Sequence, residues 1–302
     1  MTAVYLDSAL DEQERRDRLY DGELFGFSPS ESSAALCRLA REMSEEAFAP
    51  HRPEVAHESI PAEDYVQILA DLKPRFIHDP RCKELIGGML AEFGCDVDRT
   101  YFDVPRLRTM AHVDYLKAGL ALQFHAHRDT WFSAPQAQLN WWLPVYAVQP
   151  ENSMAFHTRY FAEPLKNSSA DYDYDEWNRT GRKAAATQIK TDTRKQPEAL
   201  EPYDVEPQVR VVPAVGGMVV FSAAQLHSTV PNTTGRTRFS IDFRTVNVDD
   251  LEAGRGAPNV DARCTGTTLR DHLRASDLEP LPEEVIALYE GGAAPRELQP
   301  TG

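Results

Sequence analysis

Apolar residues recur at helical spacing through the first hundred positions and at strand spacing beyond them. Between 30 and 48, Ala35, Leu36, Leu39, Ala40, Met43 and Phe48 share one helical face, which predicts an amphipathic helix with Ser30 placed to cap its first turn. Pro50 and Pro53 interrupt the chain after it. Residues 9–20, 62–73 (AEDYVQILADLK) and 81–92 (RCKELIGGMLAE) predict three further helices. Residues 1–100 thus read as an N-terminal helical layer.

From Tyr101 the period shortens. LALQFHAH at 120–127, QLNWWLPVYAV at 138–148, VRVVP at 209–213, GMVVFS at 217–222 and RTRFSIDFRTV at 236–246 are short, rich in β-branched and aromatic residues, and separated by turn signals. This predicts a mainly β chain with helical additions (α+β), whose core over 101–248 is a double-stranded β-helix of the jelly-roll or cupin-like kind. Within that core, 163–205 opens acidic (Asp171, Asp173, Asp175, Glu176) and turns basic (Arg179, Arg182, Lys183, Lys190, Arg194, Lys195). Such an insertion reads either as a lid or as a solvated loop. Residues 249–302, rich in Gly, Pro and charge, read as an extension that covers the barrel and frays at GGAAPRELQPTG. The three parts read as a single domain without internal repeats.

Composition narrows the partners. With 47 acidic against 32 basic residues the formal charge is −15, which repels phosphate backbones and anionic lipid. Nucleic acid and membranes are therefore not expected as partners; the aromatic and amide residues near the candidate site described below suggest a small-molecule substrate instead. Cys37, Cys82, Cys95 and Cys264 show no CxxC pairing, as suits a reducing compartment. The first twenty residues are charged and lack an apolar run, and no stretch approaches the roughly 20 apolar residues of a membrane span. A cytoplasmic protein is expected; the oligomeric state is left open.

The candidate chemistry lies in Phe124-His125-Ala126-His127-Arg128-Asp129-Thr130-Trp131. On a strand, residues two apart share a face, so His127 and Asp129 project together and Arg128 turns away. A third ligand, His227, ends the run from Gly216-Gly217 through a buried strand. Two imidazoles and one carboxylate on one face of a metal leave three positions open, the arrangement of ferrous oxygenases. His125 competes with His127, but only His127 has a carboxylate two residues on, so His125 reads as a pocket residue.

Downstream, Arg238, Ser240, Asp242 and Arg244 alternate with Phe239, Ile241 and Phe243. Arg238, eleven positions after His227, offers a planar fork suited to a carboxylate, and Ser240 shares its face. Arg236 competes but lies nearer the turn at 232–235. Parity turns Gln138, Asn140 and Trp142 to one side, taken as the pocket side; Gln123, His125, Trp131 and His157 complete a candidate substrate set. Core packing is the competing reading of the aromatics, and a surface position that of His157. Arg106 and Arg108 share parity and read either as solvated charge or as partners of an anionic substrate.

His127-x-Asp129, then His227-Ser-Thr229, then Arg238 resembles the phytanoyl-CoA dioxygenase-like family of Fe(II)/2-oxoglutarate-dependent oxygenases. In that family a hydroxyl residue two positions after the distal histidine and an arginine eleven after it bind 2-oxoglutarate; Thr229 and Arg238 match them. Pro150-Glu-Asn-Ser-Met-Ala-Phe-His157 is similar to the family's connection ENG…PGSH, with Ser153 in place of glycine and the PGSH turn absent. The resemblance covers about 100–247, and the 163–205 insertion lengthens the interval between Asp129 and His227. It implies Fe(II) on His127, Asp129 and His227, 2-oxoglutarate and O2 as cosubstrates, and hydroxylation of an unactivated C–H bond of a small organic metabolite with release of succinate and CO2. Desaturation or ring formation would use the same ligands. Asp129 argues against chlorination, since halogenases of this type carry a small residue there. No segment suggests a cradle for a coenzyme A nucleotide. Two other readings stand beside this one: a cupin-type metalloenzyme independent of 2-oxoglutarate, and a non-catalytic jelly-roll protein that binds a metal or ligand.

Overall fold

The computed structural model describes residues 2–113, 115–116, 125–181, 194 and 196–292. Four helices lead: α1 (Glu12–Tyr20), α2 (Glu31–Phe48), α3 (Ala62–His78) and α4 (Pro80–Glu92). At the start of α2 the Ser33 N–H donates to Ser30 Oγ and the Ser30 N–H to Ser33 Oγ, a reciprocal cap that satisfies two otherwise orphaned donors. Ser30→Ala should therefore lower stability by about 1 kcal/mol, read as a shifted urea midpoint with an unchanged slope.

The third helix runs past Pro74 to His78, five residues beyond its predicted end at 73. A proline inside a helix costs about 3 kcal/mol through a lost bond and a clash. Against that, Phe76 joins Leu69 and Leu72 in full burial, and burying one such ring returns about 1.5–3 kcal/mol before the added backbone bonds.

The strands are β1 (Val4–Leu6), β2 (Leu24–Phe27), β3 (Thr100–Phe102), β4 (Arg106–Met110), β5 (Leu139–Pro144), β6 (Met154–Phe156), β7 (Val209–Val211), β8 (Met218–Ser222), β9 (His227–Thr229), β10 (Arg238–Asn247) and β11 (Leu273–Arg274). One eight-stranded sheet has the order β1-β2-β8-β5-β10-β3-β11, with β4 also paired to β10; only β1 and β2 run parallel. A second, antiparallel sheet has the order β7-β6-β9. The first hundred residues are therefore more than a helical layer, because β1 and β2 extend the large sheet. VYL and LFGF are too short to show a period. Likewise β11 and a helix at Glu283–Ala287 give the C-terminal extension ordered contacts with the body. Its last ten residues, 293–302, lie outside the described residues.

Alternation along the central strands divides the molecule. Phe239, Ile241, Phe243, Trp141 and Leu143 are buried together with α2, α3 and α4 residues in the main core, and Trp141 stacks on Phe243 at 5.7 Å. On the other face, Trp142 meets Phe156, Val219 and Phe221 between the two sheets. Register places Asp242 opposite both Trp142 and Arg106, Arg244 opposite Asn140, and Ser240 opposite Arg108. Polar side chains are thus gathered on one side of the sheet.

The turn into β8 needs both of its glycines. Gly216 has φ +81°, and a Cβ on Gly217 would lie 2.8 Å from the Phe27 carbonyl oxygen. Ser33 donates to the Gly216 carbonyl at 2.6 Å, tying this turn to the first turn of α2. No helix among the described residues is long and apolar enough to cross a membrane.

Candidate metal centre

His127 and His227 come from segments far apart in sequence and are joined backbone to backbone. The His127 N–H donates to the His227 carbonyl at 2.9 Å, and the return bond is 3.0 Å. This antiparallel bridge brings the two rings to a centroid distance of 4.4 Å. Of the predicted strand 120–127, residues 120–124 lie outside the described residues, and so does Gln123. Asp129 does not continue a strand; it opens a short 3-10 turn, Asp129–Phe132. The turn follows Arg128, whose buried guanidinium binds the carbonyls of Ala224 (2.6 Å), Glu163 (3.0 Å) and Tyr160 and the carboxylate of Asp261 (3.1 Å).

The side chains of 127 and 129 converge nonetheless. Asp129 Oδ1 lies 3.4 Å from His127 Nε2 and 3.8 Å from His227 Nε2, and the three candidate ligand atoms fall within 4.8 Å of one another. His127 Nδ1 is 2.8 Å from the His125 carbonyl oxygen and His227 Nδ1 2.9 Å from that of Gln225. A carbonyl oxygen can only accept, so each Nδ1 carries a hydrogen and each Nε2 is left facing Asp129, where a bound metal would meet its lone pair. Burial, with help from the neighbouring His127, lowers His227 to about 4, which keeps it a neutral donor. Burial alone would raise Asp129, but the hydrogen bond to His127 and the nearby His227, His127 and Arg108 hold it below the usual carboxylate range. Its second oxygen faces Gln138 Nε2 at 3.4 Å and Arg244 Nε at 3.6 Å. Two imidazoles and a carboxylate, each oriented from behind, are a donor set that fits one divalent first-row ion.

These ligands open onto a cavity of about 710 Å3. Thr229, Arg238, Gln138, Asn140 and Trp142 also line it. Arg238 is buried, with its guanidinium 5.4 Å from the centre of the Trp142 ring. Its Nη1 donates to the Asn152 and Ser153 carbonyls at 3.0 and 3.1 Å, whereas its Nε has no hydrogen-bond partner among the described residues. Burial lowers this guanidinium to about 10. The competing Arg236 is exposed and pairs with Glu54 at 3.2 Å.

Four expected site residues are placed off the cavity wall. Ser240 is fully buried between its longer neighbours. Trp131, carried round by the 3-10 turn, is fully buried among Ala126, Tyr160, Leu165 and Leu226 and donates to Asp261 at 2.6 Å. The His125 side chain is exposed, and its contribution is the carbonyl behind His127. His157 is buried, with Nε2 2.9 Å from the hydroxyl of Ser228, so it backs a wall residue. Arg106 and Arg108 do line the cavity, as do Tyr172, Tyr174, Trp177 and Arg194 of the 163–205 segment, of which 182–193 and 195 lie outside the described residues. Sequence reasoning missed Asp103, Lys73 and Asp261. Asp261 and Lys73 act on side chains distant in the chain, and Asp103 pairs both with its neighbour Arg106 and with the distant Arg244.

No family model matches the chain, and no curated protein matches it. Among solved structures, EvdO2 from Micromonospora carbonacea var. aurantiaca is 17% identical over 80% of this chain and 93% of its own, with a TM-score of 0.44. In the EvdO2 complex with 2-oxoglutarate the match spans 58% of this chain and 62% of that one, at a TM-score of 0.35. AviO1 from Streptomyces viridochromogenes Tue57 is 15% identical over 84% of this chain and 99% of its own, with a TM-score of 0.41. SnoN, an epimerase solved with Fe3+, alpha ketoglutarate and nogalamycin RO, is 14% identical over 78% and 85%, with a TM-score of 0.39.

Proposed function

We propose that this protein is an Fe(II)/2-oxoglutarate-dependent oxygenase with a jelly-roll core, which hydroxylates an unactivated C–H bond of a small organic metabolite. The observation that carries this reading is the shared cavity: two imidazole nitrogens and a carboxylate converge at one point of its wall, and a buried arginine with an unpartnered Nε stands at another. His127, Asp129 and His227 would hold the iron; Arg238 and Thr229 would hold the far carboxylate of 2-oxoglutarate. Iron(II) held there with 2-oxoglutarate and O2 would supply the oxidising chemistry such a bond needs, with succinate and CO2 as coproducts.

The chain's own residues do the positioning. The Asn152 and Ser153 carbonyls aim Arg238, and Trp142 covers its face, so the fork is set before a ligand arrives. Gln138 and Arg244 steady the oxygen of Asp129 that faces away from the histidines. Enclosure by Phe132, Tyr172 and Trp177 limits water at the reacting end.

Anaerobic titration with iron(II) and 2-oxoglutarate should give a visible charge-transfer band, and turnover should release succinate. Arg238→Met should weaken 2-oxoglutarate binding by about 2–5 kcal/mol, roughly 30-fold to several thousand-fold, while iron affinity stays near wild type. A cupin-type enzyme would be indifferent to that substitution. Absence of both the band and succinate would remove the oxygenase reading.

A further inference from the structure

The backbone bridge that sets the two histidine rings ends before Asp129. Asp129 instead opens the 3-10 turn Asp129–Phe132, and a single short turn has little rigidity of its own. Ser133, which closes it, stands at φ +65°, a left-handed conformation that residues with a Cβ seldom hold. The orientation of the Asp129 carboxylate therefore depends on what grips the turn from outside.

One stretch of the C-terminal extension runs along this turn from end to end. Asp261 accepts from the Arg128 guanidinium at 3.1 Å and from the Trp131 indole N–H at 2.6 Å. A residue before Asp129 and a residue after it thus end on one carboxylate. Cys264 Sγ lies 3.1 Å from the Thr130 carbonyl oxygen. Ser133 donates its hydroxyl to the Thr265 carbonyl at 2.7 Å, and the Ser133 carbonyl accepts the Thr268 N–H at 3.2 Å. The left-handed residue is held twice. Arg128 also reaches the segment that delivers the other histidine: Nη1 donates at 2.6 Å to the carbonyl of Ala224, three residues before His227. Arg128, Thr130, Trp131 and Ser133 are all buried, so water does not replace these bonds when they break.

We propose that residues 261–268 are a positioning buttress for the metal ligands, latched by Arg128 and Asp261, and that iron binding and the seating of this buttress are energetically linked. The proposal rests on the metal reading of His127, Asp129 and His227. Neither Arg128 nor Asp261 lines the cavity. They act through Asp129, and through Ala224 on the approach to His227. Support of a ligand from behind is typically worth about 10–100-fold in metal affinity. Linkage is reciprocal: if an unseated buttress weakens iron about tenfold, saturating iron favours the seated form by the same factor. A segment remote in sequence from all three ligands thereby shapes the site without contributing a donor atom.

The test begins with anaerobic calorimetric titration of iron(II) alone into wild type, Asp261→Asn, Arg128→Met/Asp261→Asn and Ser30→Ala, each checked for folding by urea denaturation. The double variant removes both charges of the latch and strands neither, and its iron affinity should fall at least about tenfold. Asp261→Asn, which keeps one accepting oxygen, should lie between it and wild type. Ser30→Ala loses stability at the start of α2, away from the metal, and should bind iron as wild type does; a merely structural latch would give that result in all three variants. Hydrogen exchange on wild-type protein requires no variant to fold. Amides of 261–268 should slow at least about tenfold with saturating iron(II), while the fraying ends of α1 should not change. A folded double variant with wild-type iron affinity, an equal loss in Ser30→Ala, or exchange at 261–268 that ignores iron would each overturn the proposal. A wild-type protein that binds no iron(II) would remove the metal reading and this inference with it. Iron binding with the expected protection but no charge-transfer band on adding 2-oxoglutarate would remove the oxygenase reading alone.

Discussion

Asp129→Ala is expected to reduce iron(II) affinity by at least about 100-fold and to abolish turnover. The carboxylate is the sole acidic side chain in the triad, and both histidines are held from behind so that Nε2 faces it. Its loss removes the charge that favours a dication over water, and it also leaves Arg244 and Gln138 facing a void on that side. Asp129→Asn keeps the volume and the contact to Gln138 but not the charge, so it should recover packing without recovering iron. Iron titration followed by the absorbance of the 2-oxoglutarate complex checks both variants. Retention of near wild-type iron affinity by the alanine variant would move the metal elsewhere.

Arg128→Met should cost about 3–5 kcal/mol of folding stability. The Arg128 side chain is 2% exposed and that of Asp261 6%, at 3.1 Å. Removing the cation strands the carboxylate, which then keeps only the Trp131 indole N–H and the Leu165 N–H, and it frees the carbonyls of Ala224, Tyr160 and Glu163. Methionine replaces the packing volume, so the loss reports on polar satisfaction more than on a cavity. Adding Asp261→Asn should return part of the stability, because the stranded charge is gone. Lysine should not substitute well, since one ammonium cannot reach all the acceptors of a planar fork. Urea denaturation measures each variant; a loss below about 1 kcal/mol would mean the pair is only a surface-like contact.

Patterns carried by a single segment were readable from the residues, whereas arrangements made by several segments were not. The alternation in β10 and β5 separates Phe239, Ile241 and Phe243 from Arg238, Asp242 and Arg244, and it turns Asn140 and Trp142 to the cavity, because parity on a strand is a local property. The same rule misplaced Trp131, since the chain leaves extended geometry at Asp129. It also put Ser240 on that face, where it is fully buried and does not line the cavity. Asp103, Lys73 and Asp261 had no signature at all. Lys73 and Asp261 take their meaning from partners dozens of positions away, and Asp103, though paired locally with Arg106, joins Arg244 only through pairing across strands.

The reciprocal bonds between His127 and His227 make the chain from one to the other a closed ring, fastened at the candidate ligands themselves. Length added to or taken from that ring, as in the stretch around 163–205, is absorbed away from the knot. The entropic cost of doubling such a ring is only about 0.6 kcal/mol. Remodelling of the aromatic wall that this ring supplies could therefore alter what enters the cavity while the spacing of the two imidazoles stays the same.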